Sequence, residues 1–167
     1  MENKNEFLGR RFRDIVTGYE GICTGYVEWL YGCTQFRLRA QVDSSSSNND
    51  IFAFYFEKQL ELLDDGIRDK VEIHDYTKPL FFGKYCRDKV TDFEGICIGR
   101  IVSIFAGNQY VLEHQPEDKD KEPVQKWFDE GRIEVIEGPE IKPEDVAGSR
   151  NGGVLPASEY PRSQMML

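Results

Sequence analysis

The residues best equipped to bind something lie at the head of the chain. Arg10, Arg11 and Arg13 open a segment that also holds Arg37 and Arg39. Set against Asp14, Glu20 and Glu28, these arginines leave the segment positive inside a protein of net charge −9. A guanidinium offers a planar fork of donors that matches phosphate bidentately. Tyr26, Trp29 and Tyr31 stand between the arginines and offer flat faces on which a base could stack. Arg10, Arg11, Arg13, Tyr26, Trp29, Arg37 and Arg39 therefore form the candidate ligand set, suited to a small nucleotide-like molecule. The plainer alternative is a solvated strand face above core aromatics.

Other groups carry less chemistry. Asp14 with Glu20, and Asp88 with Glu94, are paired carboxylates that could serve acid–base catalysis. Both pairs flank a glycine-containing turn, where acids ordinarily accept bonds from backbone amides and hold the loop. Cys23 and Cys97 have no histidine near them in sequence and read as small core residues. Cys33 sits on an expected hairpin tip. His74 and His114 are isolated, no C-x-x-C pair occurs, and no metal ligand set is expected. Walker, G-x-S-x-G and H-E-x-x-H patterns are absent. The expectation is a protein without catalytic residues, cofactor or metal.

These residues are positioned by a repeat. GRRFRDIVTGYEGICTGYVEWLYGCTQFRL begins at Gly9, and GKYCRDKVTDFEGICIGRIVSIFAGNQYVL begins at Gly83, so equivalents lie 74 positions apart. Arg13/Arg87, Asp14/Asp88, Thr17/Thr91, Gly21/Gly95, Cys23/Cys97, Gly25/Gly99 and Gln35/Gln109 are among the identical pairs. A polar stretch follows in each copy, Asp43 to Asp50 and His114 to Lys126. Each copy then resumes with aromatics and an acid, Tyr55-Phe56-Glu57 and Trp127-Phe128-Asp129. The expected layout is 1–75 as a first unit, 76–138 as a second, and 139–167 as a Gly/Pro-rich flexible tail.

The period within each unit is that of strands. Phe36 and Leu38 alternate with Arg37 and Arg39, which places both arginines outward on one face. Ile22 and Val27 are separated by an odd number of residues, so a bulge or bend at Gly25, and likewise at Gly99, must reset the parity. After Glu57 and Asp129 a turn plus a short strand is expected rather than a helix. The fold class is mainly β, with five short strands closing each unit.

Val16-Thr17-Gly18-Tyr19-Glu20-Gly21-Ile22, followed by Gly32-Cys33-Thr34-Gln35-Phe36, resembles small proteins encoded by phages and prophages, and its local pattern resembles KOW-type, SH3-like β-barrels. The second copy departs from the pattern at Asp92 and at Ala106-Gly107-Asn108. The resemblance spans residues 9–63 and 83–136. It implies a tandem duplication of a small barrel and a phage setting, hence the cytoplasm of a bacterial host. It assigns no site.

Acidity argues against general nucleic-acid binding, and no apolar run is long enough for a membrane span. The expected partner is a host protein or a small nucleotide-like ligand, blocked or sequestered without catalysis, as in counter-defence. An adaptor in a virion or replication complex, a homo-oligomer, and a nucleotide-acting enzyme stay open as alternatives.

Overall fold

The computed structural model describes residues 3–40, 52–74, 80–118 and 120–142. The protein is mainly β, built as one antiparallel sheet of ten strands. The strands are β1 (Arg11–Asp14), β2 (Glu20–Trp29), β3 (Gln35–Arg39), β4 (Phe52–Phe56), β5 (Leu60–Asp64), β6 (Tyr85–Asp88), β7 (Glu94–Ser103), β8 (Gln109–His114), β9 (Val124–Asp129) and β10 (Ile133–Val135).

One pairing scheme occurs twice. In the first half β1 pairs β2, β2 pairs β3, β3 pairs β4, and β5 returns beside β1. In the second half β6 to β10 repeat that order. A 3₁₀ turn precedes the last strand of each half, Glu57–Gln59 and Glu130–Arg132. The turn-plus-strand expectation holds at both places.

The long strands β2 and β7 bend where the glycines predict. Register shifts fall between Cys23 and Gly25 and between Cys97 and Gly99. The bend turns one strand into a member of two ladders. Upstream of it β2 pairs β1, and downstream it pairs β7. A side chain at Gly25 is excluded, because a Cβ there would stand 2.2 Å from the Val102 carbonyl oxygen.

Ladders correct one detail of the repeat. Tyr55 lies opposite Phe36, and Phe128 lies opposite Tyr110, the equivalent of Phe36. Tyr55 therefore corresponds to Phe128, and Phe56 to Asp129, one step from the match suggested by the aromatic pairs. Gln59 and Arg132 then occupy the same place at the end of their 3₁₀ turns. Unequal loops hide such a shift, since only pairing fixes which strand residues face each other. The polar loop of the second half is also shorter than its composition suggests. His114 ends β8, and Val124 to Lys126 already belong to β9.

Two buried clusters follow the two halves, the first also taking in Val102 from β7. The first contains Leu8, Phe12, Cys23, Tyr26, Phe36, Leu38 and Val102. The second contains Cys86, Cys97, Tyr110, Leu112, Phe128 and Ile133. Burying a Leu- or Phe-sized side chain stabilises by about 1.5–3 kcal/mol. The chain ahead of β1 adds to the first cluster, with Phe7 stacked on Phe36 at 4.1 Å and on Phe12 at 5.0 Å. Phe81, the residue 74 positions further on, meets Tyr110 at 4.8 Å.

The two halves are joined by β2 and β7, and the pairing is self-complementary. Val27 lies opposite its own equivalent, Ile101. Gly25 faces Ser103, while Trp29 (the equivalent of Ser103) faces Gly99 (the equivalent of Gly25). A local two-fold axis therefore passes between Val27 and Ile101, as in an isologous dimer interface. Glu28 and Arg100 break this symmetry. They face each other in the ladder and form an ion pair, with the Lys4 ammonium on the other carboxylate oxygen. Tyr26 and Val102 hold the symmetry-related place.

The segment assigned to a tail begins in contact with the fold. The Ile141 amide donates to the Gly83 carbonyl at 2.8 Å. Residues 143–167 lie outside the described residues, as does the whole polar loop at 43–50. No helix among the described residues is long and apolar enough to cross a membrane.

Candidate functional site at the seam between the halves

The seven candidate ligand residues do not converge. Strand β1 is flanked by β5, and the acids of β5 and its following loop meet the arginines of β1. Arg11 pairs with Asp64 at 2.6 Å, and Arg10 lies 3.1 Å from Asp65. Arg13 pairs with Glu20 at 2.6 Å and lies 3.6 Å from Glu61. Those three charges are neutralised at a half-exposed surface, where such pairs add little stability. Tyr26 is a core residue, 1% exposed, and its hydroxyl donates to Asn5 Oδ1 at 3.3 Å. Trp29 packs edge-on against Trp127 at 5.7 Å. Sequence places the charges on their strands, but it does not show that β5 lies against β1.

Arg37 is the exception. Alternation points it outward on β3, yet it is only half-exposed, while Arg39 two positions on is exposed. The reason is the seam. Strand β7 lies beyond β2, so the Arg37 side chain reaches over Gly25 onto the second half. Its Nε donates to Thr24 Oγ1 at 3.1 Å, and its Nη2 donates to Ser103 Oγ at 3.0 Å. The Phe52 ring centroid is 6.0 Å from its Cζ. No carboxylate among the described residues pairs with it. Burial pushes the Arg37 pKa below its ordinary value, but a guanidinium stays charged regardless.

Symmetry shows how unusual this patch is. The equivalents of Thr24, Arg37, Phe54 and Ser103 are Ile98, Val111, Trp127 and Trp29. Across the axis these form an apolar contact: Ile98 and Val111 are buried, and Trp29 leans over Gly99 against Trp127. The same place is filled on one side by two tryptophans and on the other by an arginine, two hydroxyls and phenylalanines. Phe52 and Phe54 meet edge-on at 6.0 Å on β4, which among the described strands pairs with β3 alone. Comparison with known protein families, curated proteins and solved structures found no match. The internal repeat is therefore the available comparison, and it singles out the Arg37 face.

Thr24, Ser103, Phe52 and Phe54 were missed by sequence reasoning. A signal did exist. Three positions that are apolar or aromatic in one copy, at 98, 111 and 29, are polar in the other, at 24, 37 and 103. What the sequence lacks is the crossing of β2 over β7, which brings Ser103 of the second half beside Arg37 of the first.

The paired carboxylates do structural work. Asp14 Oδ2 accepts from the Thr17 amide at 2.8 Å and from its hydroxyl at 2.5 Å. Asp88 Oδ2 accepts from the Thr91 amide at 2.9 Å and from its hydroxyl at 2.6 Å. Glu20 turns away to Arg13, and Glu94 accepts from the Tyr85 hydroxyl at 3.4 Å. Neither pair faces across a cleft. Cys23 and Cys97 are fully buried, and burial pushes the Cys23 thiol up to about 12. Cys33 is exposed, as its hairpin position predicts. His74 lies 3.6 Å from Glu72, and His114 Nδ1 lies 3.1 Å from the Glu94 carbonyl. Among the described residues no group of three or more His, Cys, Asp or Glu is arranged to hold a metal.

A concavity of about 550 Å³ lies at the β7–β8 hairpin, between Gly107–Gln109 and Asp129–Gly131. It is open and acidic. Its polar groups are largely spent on each other, with Asn108 donating to Glu130 at 3.0 Å and Gln109 to Asp129 at 2.8 Å.

Proposed function

We propose that the protein is a non-catalytic binding protein made of two SH3-like, KOW-type barrels, and that its ligand face is the seam around Arg37. Each half has the strand order of such a barrel: four strands in sequence, a 3₁₀ turn, and a fifth strand back beside the first. The observation that carries the functional reading is Arg37 itself. A half-buried cation with no acid partner among the described residues costs free energy unless something compensates it. An anionic ligand would compensate it, with Ser103 and Thr24 beside the anion and Phe52 beside a base. The ligand class is a small phosphate-bearing, nucleotide-like molecule. Together with the phage-like turn motif, this supports sequestration of a host signal, as in counter-defence.

The test is thermal shift of the full chain against inorganic phosphate and a panel of mono-, di- and cyclic nucleotides. The expected outcome is stabilisation by at least one nucleotide, lost in Arg37→Ala and recovered unchanged from the protein after heat release. If no nucleotide raises the melting temperature at saturating concentration, the ligand class is wrong. If Arg37→Ala binds as well as the parent protein, the seam is not the site.

A further inference from the structure

The two halves differ at a second buried ionic position, and one half shows what the other lacks. Asp14 and Asp88 are equivalent, and both are 0% exposed. Both hold the turn after their strand through one carboxylate oxygen, Oδ2. In the second half, Arg132 closes the site. Its Nε donates to Asp88 Oδ1 at 2.8 Å and its Nη2 to Oδ2 at 2.6 Å. The guanidinium also lies over the Phe128 ring, 5.4 Å from the centroid.

In the first half no cation among the described residues takes that place. The residue at the place of Arg132 is Gln59, and its side chain turns back to accept from the Phe56 amide at 3.1 Å. Asp14 Oδ1 is buried and makes no hydrogen bond of normal geometry among the described residues, although the Val16 and Thr17 amides both help to hold the carboxylate charged. Tyr55 stands where Phe128 stands, so an aromatic residue remains beside the site, with its hydroxyl near Thr17 and Asp14. A buried carboxylate oxygen is normally paired, and an unpaired one calls for a donor. Ile15 and Val16, in the same turn, are exposed apolar residues at 63% and 72%.

We propose that Asp14, beside Tyr55, is a receptor for an arginine side chain supplied by another protein. The bound guanidinium would make the contact that Arg132 makes to Asp88, with Ile15 and Val16 as the apolar rim. The acidic net charge of −9 favours encounter with a basic partner. This site lies on the β1–β2 turn and is independent of the seam.

Amide proton–nitrogen correlation spectra of the full chain test the idea, titrated with N-acetyl-arginine methylamide or with its uncharged citrulline analogue. The arginine compound is expected to move the Thr17 and Gly18 resonances, and the citrulline compound to leave them. Thr91 and Asp92, whose site is already closed, should not move with either. Gln59→Arg should install the missing clamp, raise the melting temperature by several degrees and abolish the Thr17 response. Asp14→Asn, which leaves an acceptor oxygen for Thr17, should also abolish the response if Gln59→Arg fails to fold. Unmoved Thr17 resonances in the parent protein, an equal response to citrulline, or a response that survives in the variants would overturn the proposal.

Discussion

Replacing Arg100 by methionine isolates what the ion pair at the seam contributes. Arg100 is 1% exposed and Glu28 is 6% exposed, and they face each other where β2 crosses β7. Methionine keeps much of the volume and removes the charge. Breaking a buried pair by removing one partner typically costs 3–5 kcal/mol, because the remaining charge stays buried. Here Lys4, whose own side chain is 35% exposed, still contacts Glu28, so the loss falls at the low end, about 3 kcal/mol. For a chain of this size that lowers the melting temperature by roughly 6–12 °C. Urea denaturation followed by circular dichroism gives the free energy, and a thermal scan gives the shift. The double variant Glu28→Met with Arg100→Met removes both charges and should recover most of the loss, since apolar replacement of a whole buried pair is often neutral. If Arg100→Met costs less than about 1 kcal/mol, or the double variant is no better than the single, the pair is not a buried unit and the reasoning fails.

Three further outcomes follow from the same geometry. Gly25→Ala should cost roughly 1–3 kcal/mol by forcing β2 from β7, because its Cβ would meet the Val102 carbonyl at 2.2 Å. Gly18→Ala meets open space and should cost only the strain of a left-handed residue at φ +75°, about 1–2 kcal/mol; equilibrium unfolding that ranks them the other way contradicts the seam. A thiol reagent at neutral pH should modify Cys33 fast and the other three cysteines only on unfolding, since Cys23, Cys86 and Cys97 are buried and burial pushes Cys86 up to about 11; a second fast equivalent argues against the core assignment. Arg132, with help from Thr91, holds Asp88 well below its ordinary 3.8, so that stability is present above the unfolded value and lost as pH falls. Arg132→Gln should therefore flatten the fall of melting temperature between about pH 5 and pH 2, and an unchanged slope would remove the clamp from the account.

Much of the fold was legible because β structure writes a local code. Alternation around Phe36 and Leu38 gave β3, the parity break at Gly25 and Gly99 gave both bends, and the acids Asp14 and Glu20 around Gly18 gave the turn. The candidate site was legible only as residue types. Arg10, Arg11 and Arg13 carry the same chemistry as Arg37 on paper, and what separates them is whether an acid stands opposite.

The chain by itself determined the strand period, the doubled scheme and the glycine bends, all of which depend on neighbours a few residues apart or on direct self-comparison. Only the tertiary structure decided that β5 lies against β1 and pairs Asp64 with Arg11, that the fourth strands align one step from their sequence match, and that β2 meets β7 about a local two-fold axis. Those outcomes rest on pairings between residues tens of positions apart, where register and not composition selects the partner. Thr24 and Arg37 therefore acquire Ser103 as a neighbour only when the halves are joined.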